Sequence, residues 1–107
     1  MEARVLYQDL FPFETPRSLD ALRGPATGVL ILPRTVHWGP DPTADLDTRS
    51  GLHKAYRNLV REGTTDLQEA MLNAARLVEV WPDLALPPRC LALWESRFPE
   101  LRRAAST

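Results

Sequence analysis

The chain has a single cysteine, Cys90, and a single lysine, Lys54. One thiol makes an internal disulfide impossible, and a zinc site built on it would need other ligand types. A lone cysteine also suits a reducing compartment, so a cytoplasmic location is expected. No apolar run approaches the roughly 18 residues that begin to span a bilayer. The opening "MEARVLYQDL" lacks the apolar stretch of a secretory leader. Neither sign of charge prevails: 13 Lys and Arg stand against 14 Asp and Glu, a net charge of −1. That balance denies the chain any sequence-wide attraction to phosphate backbones or anionic lipid. The short patterns of common chemistry are missing too: there is no Gly-rich phosphate loop, G-x-S-x-G, H-E-x-x-H or C-x-x-C. No internal repeat is visible.

What is present describes one ordinary domain. The 107 residues are 44% hydrophobic and 25% charged, which is enough for one modest core. Prolines 12, 16, 25, 33, 40 and 42 punctuate the first third and rule out a long helix there. "RVLYQDLF" fits a short helix or an extended arm through Val5, Leu6, Leu10 and Phe11. "PRSLDALRG" predicts a helix of one or two turns, capped by Ser18 and stopped by Gly24. "TGVLILP" predicts a buried strand. "RTVHW" reads as its continuation or as a second strand, and "TADLD" as a return strand that pairs with it.

From Thr48 onward the pattern is helical. Leu52, Ala55, Tyr56, Leu59 and Val60 form one apolar stripe, with His53, Lys54, Arg57 and Arg61 on other faces and Gly63 at the end. "TDLQ" predicts a capping box between Thr65 and Gln68. The apolar face then continues through Leu67, Ala70, Met71, Ala74, Val78 and Trp81, with Asn73 interrupting it and capping a second short helix. Pro82 ends that segment. A final helix opens on "LPPRC" and places Leu91, Trp94, Phe98 and Leu101 along one side, limited by Pro99. The expected fold is therefore α+β, mostly α. A small irregular N-terminal region with a short two- or three-stranded β element (residues 1–47) packs on three or four C-terminal helices (residues 48–101). A frayed tail (residues 102–107) follows.

Candidate chemistry is sparse. His37 with Asp41, Asp45 and Asp47 could offer oxygens to a hard metal, but the spacing matches no metal motif, and aspartates in such turns ordinarily satisfy backbone. His53 reads as part of a solvated face. Cys90 could be activated at a helix start, yet its apolar spacing with Leu93 and Trp94 reads as core. No catalytic set, metal or cofactor is expected. A helix-turn-helix around "REGTTDLQEAML" would make the chain a DNA-binding regulator through Lys54, Arg57 and Arg61. Its second helix, however, begins with Asp66, Gln68 and Glu69, which would repel phosphate. Trp81 and Trp94 fall at core spacing. Trp38, in "HWGPDP", reads equally as a core anchor or as a hot spot for a protein partner. The residues thus favour an interaction module over a DNA-binding regulator or a small enzyme.

The phrases "YQDLFPFETPRSLDALRGPATGVLILP", "HWGPDPTADLDT", "AYRNLVREGTTDLQEAMLNAARLVEVWPDLALP" and "ALWESRFPELR" resemble a small actinobacterial family. Its members are often labelled transcriptional regulators and are associated with AbiEii-like nucleotidyltransferase toxins. The resemblance spans about residues 6 to 102. It implies an antitoxin that binds and inhibits such an enzyme, with Trp38, Asp41, Asp45 and Asp47 as the surface that would meet a basic cleft.

Overall fold

Thr48 begins the helix around which the rest is arranged. Its hydroxyl accepts the Gly51 N–H at 3.0 Å and donates to the Asp45 C=O at 2.9 Å, so one side chain caps the helix and holds the strand before it. A computed structural model describes residues 13–106, with side chains through Arg102. The expectation for "RVLYQDLF" lies outside the described residues. Helix α1 (Arg49–Glu62) buries Leu52, Ala55, Tyr56, Leu59 and Val60, the stripe that its spacing predicts. Gly51 lies where α1 crosses β2 (Thr43–Asp45), and a Cβ there would run into the Asp45 backbone.

Two seven-residue helices follow, α2 (Thr65–Met71) and α3 (Ala74–Val80). The cap of α2 is one residue earlier than expected: the Thr64 hydroxyl accepts the Leu67 N–H at 3.3 Å. Thr65 instead donates its hydroxyl to the Thr15 C=O at 2.8 Å. Gln68 does not reach back to a cap. It is fully buried, and its Nε2 donates to the carbonyls of Leu59, Gly63 and Glu14 at 3.0, 3.1 and 3.0 Å. Asn73 caps α3 as expected, its Oδ1 accepting the Arg76 N–H at 3.1 Å. The break at Leu72–Asn73 resets the helical phase. Leu72, Leu77 and Val80 are therefore buried, whereas Ala70, expected on the apolar face, is exposed. The Tyr56 hydroxyl accepts the Asn73 N–H at 2.9 Å and ties the break to α1.

After a 3-10 turn (Trp81–Asp83), α4 (Pro88–Arg97) buries Cys90 and Trp94. Pro99 excludes helical geometry at Phe98, which is extended at φ −128° and ψ 85°. The chain then starts a new helix, α5 (Pro99–Ser106), that continues past Leu101, where the tail was expected to fray. Trp94 packs between Trp81, tilted at 32°, and Phe98, edge-on at 61°, with ring centroids 5.8 Å apart in each pair. The Trp81 indole donates to Glu95 Oε2 at 2.9 Å, while the buried Trp94 Nε1 finds no acceptor among the described residues.

The front is α+β as expected. β1 (Val29–Ile31) pairs antiparallel with β2, Leu30 opposite Ala44, and β2 packs on α1. Only the inward residues Leu30 and Ala44 are buried, so β1 is half-exposed rather than the fully buried strand expected. "RTVHW" is not a strand. Residues 34–36 form a turn in which the N–H groups of Val36 and His37 both donate to the Pro33 C=O. Gly24 does not stop the Ser18-capped 3-10 turn (Leu19–Ala21), which ends at Leu22. Its role is close approach: its N–H donates to the Leu72 C=O at 2.8 Å, and a Cβ would collide with the Met71 backbone.

Replacing glycine by alanine inside a helix ordinarily stabilises by about 1 kcal/mol. Gly51→Ala is expected to do the reverse, costing roughly 2–3 kcal/mol by forcing α1 off β2. Urea unfolding checks this, with Ser50→Ala at the exposed neighbouring position as control. A gain in stability at position 51 would show that α1 does not lie against Asp45.

Candidate functional site

The segment from Pro33 to Asp47, which includes β2, carries His37, Asp41, Asp45 and Asp47. Pro40 and Pro42 restrict its backbone. Asp41 Oδ1 accepts both the N–H and the hydroxyl of Thr43, at 3.0 and 2.6 Å. The Thr43 hydroxyl, and then its amide, hold the Asp41 carboxyl below the usual carboxylate range. Asp45 accepts the Asp47 N–H at 2.9 Å, and Asp47 reaches the Gly28 N–H at 3.4 Å. Each carboxylate thus satisfies backbone through one oxygen and keeps its charge at an exposed position. The three do not converge with His37. Among the described residues no group of three His, Cys, Asp or Glu side chains could hold a metal ion.

On this rigid turn Trp38 stands 88% exposed. The choice between core anchor and surface residue is thereby decided for the isolated chain. The only other large apolar side chains exposed among the described residues are Val29 and Ile31, on the outward face of β1. Sequence reasoning missed these two. The signal available was their period-2 spacing in "VLI", which fits a one-sided strand as well as a buried one.

Lys54, Arg57 and Arg61 recur at i, i+3 and i+7 along α1, and two of them are engaged within the fold. The Lys54 ammonium donates to the carbonyls of Asp41 and Thr43, both at 2.8 Å, and closes the acidic loop onto α1. Arg61 is partly buried beside Glu62, and Arg57 alone of the three is exposed. At the start of α2, Glu69 is buried against Arg17, taking its side chain at 2.7 Å and its backbone N–H at 2.8 Å. His53 lines a polar cleft of about 320 Å³ between α1 and α3. The charges there are largely paired, Arg49 with Asp83 at 3.3 Å and Arg76 with Glu79 at 3.0 Å. Cys90 lies elsewhere, fully buried, with its Sγ 3.8 Å from the Val60 C=O. The thiol is therefore buried in the core, apart from the exposed carboxylates of Asp41, Asp45 and Asp47. No described helix is long and apolar enough to cross a membrane. No family model matches the chain, nor does any curated protein or solved structure.

Burial pushes the Cys90 thiol up to about 12 from 9.0, the nearby Arg61 charge only partly opposing it. Burial also raises the Tyr56 hydroxyl. For both groups the folded chain holds its proton more tightly than the unfolded one. Their contribution is intact below the unfolded values and is lost as pH rises through the folded values. Stability is therefore expected to decline above about pH 9, and Cys90→Ala to flatten that decline. In native protein at neutral pH the thiol should resist alkylation and become reactive only in denaturant. Rapid native-state labelling would return Cys90 to the list of nucleophiles.

Proposed function

We propose that the chain is a non-catalytic protein-interaction module of antitoxin type, which binds a nucleotidyltransferase-type toxin and inhibits it by occupying its nucleic-acid-binding cleft. The exposed indole of Trp38, held on a proline-braced turn, carries this reading. Leaving such a ring in water forgoes on the order of 3 kcal/mol of burial, a cost that a partner would recover. A rigid aromatic loses little conformational entropy on docking, which is why tryptophans dominate interface energetics. Asp41 lies in the same loop, and Asp45 and Asp47 extend the acidic surface along β2 to the Gly28 end of the hairpin, a surface suited to a cleft built to hold phosphates. Inhibition of this kind is stoichiometric: the acidic loop stands in for the nucleic-acid backbone and excludes it.

The two parts of the surface act on different steps. Trp38→Ala is expected to weaken the complex with an AbiEii-like nucleotidyltransferase by about 30-fold or more, mainly through faster dissociation. Changing Asp41, Asp45 and Asp47 to Asn keeps the turn's acceptor oxygens and removes its charge, so it should slow association and flatten the salt dependence. Surface plasmon resonance separates these rates, and circular dichroism checks that the variants fold. A complex untouched by both changes would remove this surface from the reading. Failure of the folded wild-type chain to bind would remove the reading itself.

A further inference from the structure

Among the described residues β1 is an edge strand with an open outer side. Its bonds to β2 run through Gly28, whose C=O accepts the Leu46 N–H at 2.7 Å, and through Leu32, whose N–H donates to the Pro42 C=O at 2.8 Å. With Leu30 opposite Ala44, the even-numbered residues face β2, and the N–H and C=O groups of Val29 and Ile31 point to the free edge. Among the described residues nothing bonds to them. Native edges are blunted by a charge, a proline, a bulge or a covering element. The strand "VLI" contains none of these, and Val29 and Ile31 stand 61% and 60% exposed.

We propose that this edge pairs with the same edge of a second copy, antiparallel about a twofold axis at Leu30, to give a continuous four-stranded sheet. This inference does not rest on the antitoxin reading. In this register Val29 of each copy lies opposite Ile31 of the other. These are the residues whose main-chain groups are free, so each pair exchanges both of its N–H···O=C bonds. A slip of one residue sets bonding groups against non-bonding ones. A slip of two one way brings Pro33, which has no N–H, into the ladder, and the other way brings in Thr27, which lies beyond the left-handed Gly28 at φ 94°. On the outer face the exposed Val29 and Ile31 become apolar cross-strand neighbours.

The charges fit as well. Asp45 is paired with Val29, so the two copies of Asp45 fall at diagonal corners of the joined sheet rather than side by side. Three-residue strands bury far less than the ~1,200 Å² of a standard interface, so the association is weak and concentration-dependent.

Sedimentation of the full chain from about 10 µM to about 1 mM tests the pairing. The mass is expected to rise from monomer toward dimer over that range. Ile31→Lys should abolish the rise without changing the thermal melt, since position 31 is exposed. Val29→Cys and Ile31→Cys variants, oxidised separately and as a mixture, read the register: only the mixture should give the intermolecular disulfide. Three results would each overturn the proposal. One is a wild-type chain that stays monomeric throughout, which would leave the edge to a strand of some other protein. The others are Ile31→Lys protein that associates like wild type, and cross-links that form equally in the separate variants.

Discussion

The side-chain amide of Gln68 is the contact on which the arrangement of the molecule depends. Three carbonyls converge on its Nε2: Leu59 from the last turn of α1, Gly63 from the reversal after it, and Glu14 from the N-terminal segment. A buried carbonyl without a donor costs about 1–3 kcal/mol. The Leu59 C=O already accepts the Gly63 N–H at 2.9 Å, so the amide removes that penalty at Gly63 and Glu14, although its two hydrogens must be shared among three acceptors. The orientation is forced, because turning the amide over would aim Oε1 at three oxygens. The cost is that Oε1 itself remains buried without a partner. From this point the front of the chain is tied down along α2. Arg17 binds Glu69, the Arg23 N–H donates to the Glu69 C=O, and Gly24 is held against Leu72. The strand that follows starts from a fixed place, and so does the loop that carries Trp38.

Where the fold was legible, the reason is local periodicity. The stripe on α1 needs only the spacing of Leu52, Ala55, Tyr56, Leu59 and Val60, and the structure buries each of them. The break at Asn73, the proline start of α4 and the pairing of "TADLD" with "TGVLILP" are likewise written in short stretches. What could not be read depended on distant partners. Thr65 and Gln68 have the spacing of a capping box, but the acceptors that claim them belong to Glu14, Thr15, Leu59 and Gly63. Ala70 fits the apolar face only if α2 and α3 are one helix. Gly24 looks like a helix stop until the Met71 backbone is seen beside it.

The candidate site divides along the same line. The roles of Asp41 and Asp45 as turn acceptors follow from residue type, since an aspartate can bond the N–H two positions on, as both do here. The commitment of Lys54 to two loop carbonyls does not follow from type; it requires knowing that α1 runs beneath the loop. Cys90 could be assigned to the core from its apolar neighbours, and burial by several helices makes that assignment a chemical statement: the thiolate is disfavoured where no water reaches it. Trp38 was undecided because both outcomes use the same turn. Only the position of the sheet and of α1 shows that the turn projects away from the core.

Val29, Ile31 and Trp38 lie within ten consecutive residues, and the rest of the described chain buries its large apolar side chains at least in part. Scattered single apolar residues on a surface need no explanation, but a run of them on one segment does. Such a segment is stabilised in place by interactions that do not use those side chains. Leu30, Leu32 and Val36 anchor it inward, the β2 ladder holds its backbone, and Lys54 and the aspartates brace the loop. The segment is therefore well ordered by its inward half and leaves its outward half uncommitted. The two uses argued for that half draw on different atoms, main-chain groups at the edge of β1 and side chains at the turn. A second copy along the strand thus leaves the indole and the carboxylates on the loop, and a partner gripping the loop leaves the ladder groups of Val29 and Ile31 available.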